Sequence, residues 1–388
     1  MSINYHLMTD DKFIDGFISI AEEVSEKENK YIFTFETPAT YVTSGLGISA
    51  PLGSTKLDEL IRNIRPGDKV FIHWYSDQLM EHLKNLHPRA ILYLFFWGGD
   101  FLEQPKAFYD FNYESVTRAY LKTRIRKRLI VRSGKMIDKI KNIKRLLHWE
   151  ISQRRTRNFQ VSRRRKFLKR LDYFCHWNEA DLDRLKAEYN CDPKFVPFFY
   201  DFGFTKVPEA TEHSNEIPVI WLGNSATIPN NHLDAVAKLS VYKNAFRIFC
   251  PLSYGDRSYG DEVSAVCKQL WGDKFSDLRS YLPIEEYFSI IRDVDVVIMF
   301  HNRSQAAGNI LAFLKMGKKV YLKKESTIYR LAEKLNMKVF DANTIGEEGF
   351  EEIIKPLTET EKQKNREIVN EVFSEEKRYE YVRSLLNC

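Results

Sequence analysis

The sequence predicts an α/β protein of two Rossmann-like domains facing each other across a cleft. Three observations predict it. Short apolar runs alternate with longer amphipathic stretches along most of the 388 residues, the rhythm of parallel strands joined by helices. Runs such as Val70-Phe71-Ile72 and Ile91 to Phe96 are apolar at successive positions, as expected of strands covered by helices on both faces. The rhythm halts in a polar segment, 205–218, with prolines near both ends, and then restarts. At about 150 residues per domain, the length allows two or three, and two is the working count.

In chain order, strand patterns fall at Asn4–Met8, Tyr31–Phe35, Lys69–Trp74 and Ala90–Trp97, with helix patterns at Asp11–Ser25, Leu57–Ile64 and Gln78–Leu86 between them. Tyr173–His176 and Lys194–Phe198 read as the last strands of this half, around a helix at Asp181–Tyr189. Beyond the linker come strands Val219–Leu222, Arg247–Cys250, Val294–Phe300 and Lys319–Leu322. Helices are expected at Asn231–Ser240, Asp261–Trp271, Ile284–Arg292, Ala306–Met316 and Thr327–Leu335, and the charged stretch Glu359–Leu386 reads as closing helices. The expected domains are 1–205, carrying a basic helical insertion at 118–170, then 217–358, then the closing helices 359–388.

The composition, 44% hydrophobic, 14% aromatic and 29% charged, excludes a collagen, a disordered tail and a small disulfide scaffold. Five widely spaced cysteines without a C-x-x-C pair argue against a disulfide framework or thiolate zinc site and for a reducing compartment. Asp10, Asp11 and Asp15 stand where a secretory signal needs a basic start and an apolar run. The longest apolar run, Ala90 to Trp97, is too short to span a bilayer.

Charge is sharply partitioned. Residues 118–170 hold 21 Lys/Arg against Asp138 and Glu150, a local +19, so the rest of this +6 chain carries −13. Within it Leu121, Ile125, Leu129, Ile140, Ile143 and Leu147 recur at helical steps. Three readings are open: a surface helix packed on its own domain, a nucleic-acid-binding segment, or a helix that docks on an anionic membrane. For the membrane, Lys127, Arg128, Lys135 and Lys139 would meet headgroups and Trp149 would anchor at the interface.

Five strand ends carry polar groups suited to a ligand. Gly223-Asn224-Ser225 follows a strand and leads toward a helix, where glycine permits close approach and a helix start offers unpaired N–H donors to a phosphate. The alternative is a plain strand-to-helix turn. His301-Asn302-Arg303-Ser304-Gln305 runs into a helix start holding Gly308 and Asn309, placing a forked guanidinium where a diphosphate would be gripped. Pro251 to Gly255 offers Tyr254 to a base or sugar. Trp97-Gly98-Gly99-Asp100 and His73 end neighbouring strands of the first half, so Asp100 and His73 are the acid/base candidates. A turn-capping Asp and a satisfied core histidine are their bland alternatives. Asp293-Val294-Asp295 precedes a strand and reads as a corner instead of a metal-binding D-x-D. No spaced His/Cys set suggests a metal site.

Together Trp97-Gly98-Gly99-Asp100, His73, Leu222-Gly223-Asn224-Ser225, Pro251 to Gly255, Tyr287, and Arg303-Ser304-Gln305 with Gly308 and Gly317 resemble the 4-acetamido-4,6-dideoxygalactose (Fuc4NAc) transferases of family 56, glycosyltransferases of GT-B fold. The resemblance implies a dTDP-sugar donor held by Gly223, Asn224, Ser225, Tyr254, Arg303, Gln305, Gly308 and Asn309. It implies a polyprenyl-diphosphate-linked saccharide acceptor facing Asp100 and His73, in bacterial surface polysaccharide assembly. It implies no obligatory metal; no other cofactor, no nucleic acid and a peripheral place on the cytoplasmic face of the inner membrane are expected, the alternatives being a GT-B transferase with another nucleotide sugar or acceptor, or a nucleic-acid-binding protein using 118–170. Ala306-Ala307 stands where the family is more glycine-rich, and the basic insertion is larger.

Overall fold

The computed structural model describes residues 2–103, 108–129, 136–203, 207, 215–243, 245–280 and 282–387. In chain order the elements are β1 (Asn4–Met8), α1 (Ile14–Val24), β2 (Asn29–Phe33), β3 (Gly47–Ser49), α2 (Thr55–Arg62), β4 (Lys69–Ile72), α3 (Asp77–Leu83), β5 (Ile91–Phe95), α4 (Tyr109–Asn112), α5 (Ser115–Leu129), α6 (Met136–Arg170), β6 (Tyr173–His176), α7 (Glu179–Tyr189) and β7 (Lys194–Pro197). There follow β8 (Val219–Leu222), α8 (His232–Leu239), β9 (Arg247–Pro251), α9 (Arg257–Trp271), β10 (Phe275–Leu278), α10 (Ile284–Arg292), β11 (Val296–Met299), α11 (Ala307–Lys315), β12 (Lys319–Leu322), α12 (Thr327–Lys334), β13 (Phe340–Asp341), α13 (Phe350–Ile354), α14 (Glu359–Val372) and α15 (Glu375–Asn387).

The chain folds as two units. The first comprises Met1–Ala107, Asn158–Phe202 and Val372–Cys388, around a seven-stranded sheet of order β3-β2-β1-β4-β5-β6-β7 whose pairings are all parallel. The sheet reverses direction of growth between β1 and β4, the position where such folds bind ligands beyond the strand ends. Side-chain caps start α2, α3 and α7: Ser54 accepts from the Leu57 amide, Ser76 from Leu79 and Asn178 from Ala180. Its core joins α1 to Phe71, Phe95 and Cys175, and α15 adds Val382, Leu385 and Leu386.

The second unit comprises Phe108–Arg157 and Gly203–Glu371, around a six-stranded sheet of order β10-β9-β8-β11-β12-β13, again all parallel. Its reversal lies between β8 and β11, both fully buried strands. The linker expected at 205–218 lies largely outside the described residues.

Two segments cluster differently from the expected domains. The start of the insertion belongs to the second unit, because Asp234 of α8 accepts hydrogen bonds from the Val116 and Thr117 amides, 2.7 and 2.9 Å, and from the Thr117 hydroxyl, 2.6 Å. Asp234 thereby caps α5. Asn231 likewise accepts from the Glu114 amide, 3.0 Å, and Arg124 pairs with Asp256 at 2.6 Å. The closing helix α15 belongs to the first unit, where the Lys69 ammonium donates to the carbonyls of Leu385 and Leu386, 2.8 and 3.2 Å.

Candidate functional site

Three loops meet over the reversal point of the second sheet. Gly223 leaves β8 with φ +69°, and a Cβ there would stand 2.3 Å from Nε2 of His232, so both the backbone conformation and the space demand glycine. Asn224 donates from its amide to the Tyr254 hydroxyl, 3.0 Å, and its oxygen accepts from Gln305, 2.9 Å. One residue from each of the loops after β9, β8 and β11 is thus joined in a row. Ser225 is turned inward, held by Asn230, which donates to its carbonyl, 3.0 Å, and its hydroxyl, 3.2 Å.

Arg303 is 6% exposed, donates to the Ser304 carbonyl, 3.1 Å, and its own carbonyl lies 2.9 Å from Nδ1 of His301. The carbonyl can only accept, so His301 carries its proton on Nδ1 and presents Nε2 as a lone pair. Ala306 takes a left-handed φ of +57° to open α11. The first amide-to-carbonyl bond of that helix runs from Ile310 to Ala306, 2.9 Å. The amides of Ala307, Gly308 and Asn309 therefore have no acceptor within the helix, the arrangement that receives an anion. At α8 the expectation is not met in the same way, since the His232 amide donates to the Tyr259 hydroxyl, 3.0 Å.

Sequence reasoning missed His232. It is fully buried, and neither ring nitrogen has a hydrogen-bond partner among the described residues. Burial pushes both His232 and His301 down to about 3, so both rings are neutral near pH 7. The only trace of His232 in the sequence is Asn230-Asn231-His232 at a helix start. Beside Tyr254 opens a cavity of about 540 Å³, walled by Ser253, Arg257, Lys268 and Arg279 among others. Arg279 is spoken for by Asp277 at 3.0 Å and Asp261 at 3.1 Å.

In the first unit, Asp100 is the second residue of a single π-helical turn, Gly99–Glu103. It is 4% exposed, and burial raises its carboxyl to about 7 against the opposing pull of Arg164. Arg164 donates to the Asp100 carbonyl, lies 3.6 Å from Asp77, and rests over the rings of Tyr75 and Phe101.

His73 is fully buried and both its ring nitrogens are occupied, Nε2 by His6 at 3.2 Å and Nδ1 by the Tyr200 hydroxyl at 2.7 Å. His6 reaches on to the Asn29 oxygen, 3.4 Å. The Asn29 nitrogen already donates to the Ala21 carbonyl and Glu22, so its oxygen must accept. Every proton in the row then points the same way: Tyr200 donates to His73, His73 to His6, His6 to Asn29. Desolvation holds His73 well below the ordinary histidine range. Trp97 packs against Tyr200 and, edge-on, against Trp74, so the loops after β4 and β5 and the segment after β7 are in contact.

Asp295 serves as a corner: it accepts from the Val219 amide, 2.8 Å, and from Asn215, 2.7 Å. Among the described residues no cluster of three or more His, Cys, Asp or Glu has the makings of a metal site, and no helix is long and apolar enough to cross a membrane. Of the residues expected at a membrane, Lys127 and Arg128 are exposed on α5 and Trp149 is partly buried on α6. Lys135 and the side chain of Lys139 lie outside the described residues.

The profile of a family described as 4-alpha-L-fucosyltransferase glycosyl transferase group 56 matches residues 182–376. The fold is similar to that of a glycosyltransferase from Rickettsia africae, at TM-score 0.59 and 13% identity over 99% of this chain and 97% of that one. It is similar to HepE of Anabaena, solved in complex with UDP, at TM-score 0.61 and 10% identity over 100% and 98%. Sucrose-phosphate synthase of Thermosynechococcus elongatus gives 0.57 and 9% over 100% and 95%. At such identities the likeness is one of fold, the two-domain GT-B architecture.

Proposed function

The chain belongs to glycosyl transferase group 56, the 4-alpha-L-fucosyltransferase family, and from that premise we propose that this glycosyltransferase moves a deoxy-amino sugar from a dTDP-linked donor to a polyprenyl-diphosphate-linked saccharide. Peripheral attachment to the inner face of an anionic membrane, and a part in bacterial surface polysaccharide assembly, belong to the same reading. The observation that carries it is the convergence of Asn224, Tyr254 and Gln305 beside Arg303 and the open amides of α11, all at the reversal point of the second sheet.

In this reading Arg303 and the amides of Gly308 and Asn309 hold the diphosphate. They stabilise the charge that grows on it as its bond to the anomeric carbon breaks. Gly223 keeps the backbone low beneath it, Ser225 holds the loop's shape, and Tyr254 flanks the nucleoside. The acceptor hydroxyl forms the new bond and gives up its proton to Asp100, the carboxyl raised to about 7 and so matched to a neutral operating pH. His73 fixes the Tyr200 hydroxyl.

Thermal shifts with dTDP, UDP, GDP and ADP, with CMP as control, test the donor site on wild type, Arg303→Ala and Arg303→Lys. A nucleotide that binds only the folded state raises its stability by mass action. Stabilisation by dTDP that is lost in Arg303→Ala and weakened in Arg303→Lys is expected. Equal shifts in all three proteins remove Arg303 from the site, and no shift with any nucleotide overturns the donor assignment.

A further inference from the structure

We propose that α6 carries a membrane-insertion ridge, formed by Ile140, Ile143, Leu147 and Ile151, that seats in the interface of an anionic bilayer. These four side chains are between 48% and 58% exposed. Steps of three, four and four residues stack them on one face of the helix. A contiguous row of bare aliphatic side chains is a surface that has a partner.

Charge chooses that partner. Between residues 136 and 157 stand seven Lys/Arg against Asp138 and Glu150, and Lys144, Arg154 and Arg155 border the ridge at helical spacing. An anionic leaflet answers both features at once, taking the aliphatic side chains into its acyl boundary and the cations at its headgroups. A second copy would bring two strongly basic segments together. Nucleic acid would answer the cations but leave the aliphatic row against phosphate; Phe159, an exposed aromatic of α6, lies beyond the row with the Arg163 guanidinium over its ring, not along it where bases would stack.

Ile140, Ile143 and Leu147 of the ridge belong to the apolar row read from the sequence, whereas the expected anchor does not join them. Trp149, two residues from Leu147 and two from Ile151, lies on the opposite side of α6 and is partly buried. The ridge lies in the stretch of α6 that clusters with the second unit, while the rest of the same helix, from Asn158, clusters with the first. The purpose of the ridge rests on the proposed function, although its residues do not.

Co-sedimentation of the full-length protein tests it, using vesicles of phosphatidylcholine alone or with about a third phosphatidylglycerol. Wild type is expected on the anionic vesicles only, with binding that weakens as salt rises. Ile143→Asp/Leu147→Asp should lose about tenfold or more in vesicle affinity. Lys144→Gln/Arg154→Gln/Arg155→Gln should lose about fivefold per charge at low salt. Both variants should keep the wild-type nucleotide shift, which also shows that they fold. Unchanged binding by the Asp variant, equal binding to phosphatidylcholine, or a dimer in light scattering that the Asp variant dissolves would each overturn the ridge. Ridge-dependent vesicle binding without any nucleotide shift in wild type would leave the ridge standing and overturn the donor site instead.

Discussion

At the scale of single residues, Asp100 makes the sharpest forecast. Its folded carboxyl titrates at about 7, above the usual carboxylate value, so the folded state holds a proton that the unfolded chain has released. The stability this proton confers is present below about pH 4 and is lost as pH rises through about 7, at a slope of up to about 1.4 kcal/mol per pH unit. Asp100→Asn removes the ionisation, so its melting temperature should gain on wild type across that window. Its transfer rate should fall by about 10² or more, and the wild-type rate should rise to a plateau above about pH 7. A parallel pH dependence of melting in the two proteins would show that Asp100 titrates normally. The sequence placed Asp100 and His73 at strand ends correctly, because the runs before them are apolar on both faces. It could not show that His73 is shut in by His6 and Tyr200, which come from 67 and 127 residues away.

At the scale of elements, the central strands were legible because β4, β8, β11 and β12 are buried along their whole length. The missed strands β3, β10 and β13 are sheet edges or next to them, short and only partly buried, so they lack the apolar signal. The helix expected from Asp261 starts four residues earlier, at Arg257, because Asp256 caps it there by accepting from the Tyr259 amide. The cap of α5 was illegible for another reason: it is supplied by Asp234, 118 residues beyond Val116. Asp234→Ala should cost about 1 to 2 kcal/mol, as removal of a helix cap does. Faster amide exchange should then be confined to Ser115–Leu129. Exchange unchanged in α5 would mean that α5 is held by other contacts, such as Arg124 to Asp256.

At the scale of the whole molecule, each unit has its own apolar core, one gathered around Phe71 and Phe95, the other around Ile220, Val263 and Ile298. Two cores allow two unfolding transitions. A bound nucleotide should raise the midpoint of only one, the transition reported by Trp221, buried in β8 of the second unit. An equal rise in both would show the units unfolding as one body. The cores also have different histories on the ribosome. The second unit is assembled from residues up to 371, whereas the first needs α15, whose Leu385 and Leu386 fill its core and cap the Lys69 ammonium. The unit whose first strands are translated before the second unit is therefore finished after it, and Asn4 waits while 382 further residues are made for the Leu386 carbonyl it meets at 3.4 Å.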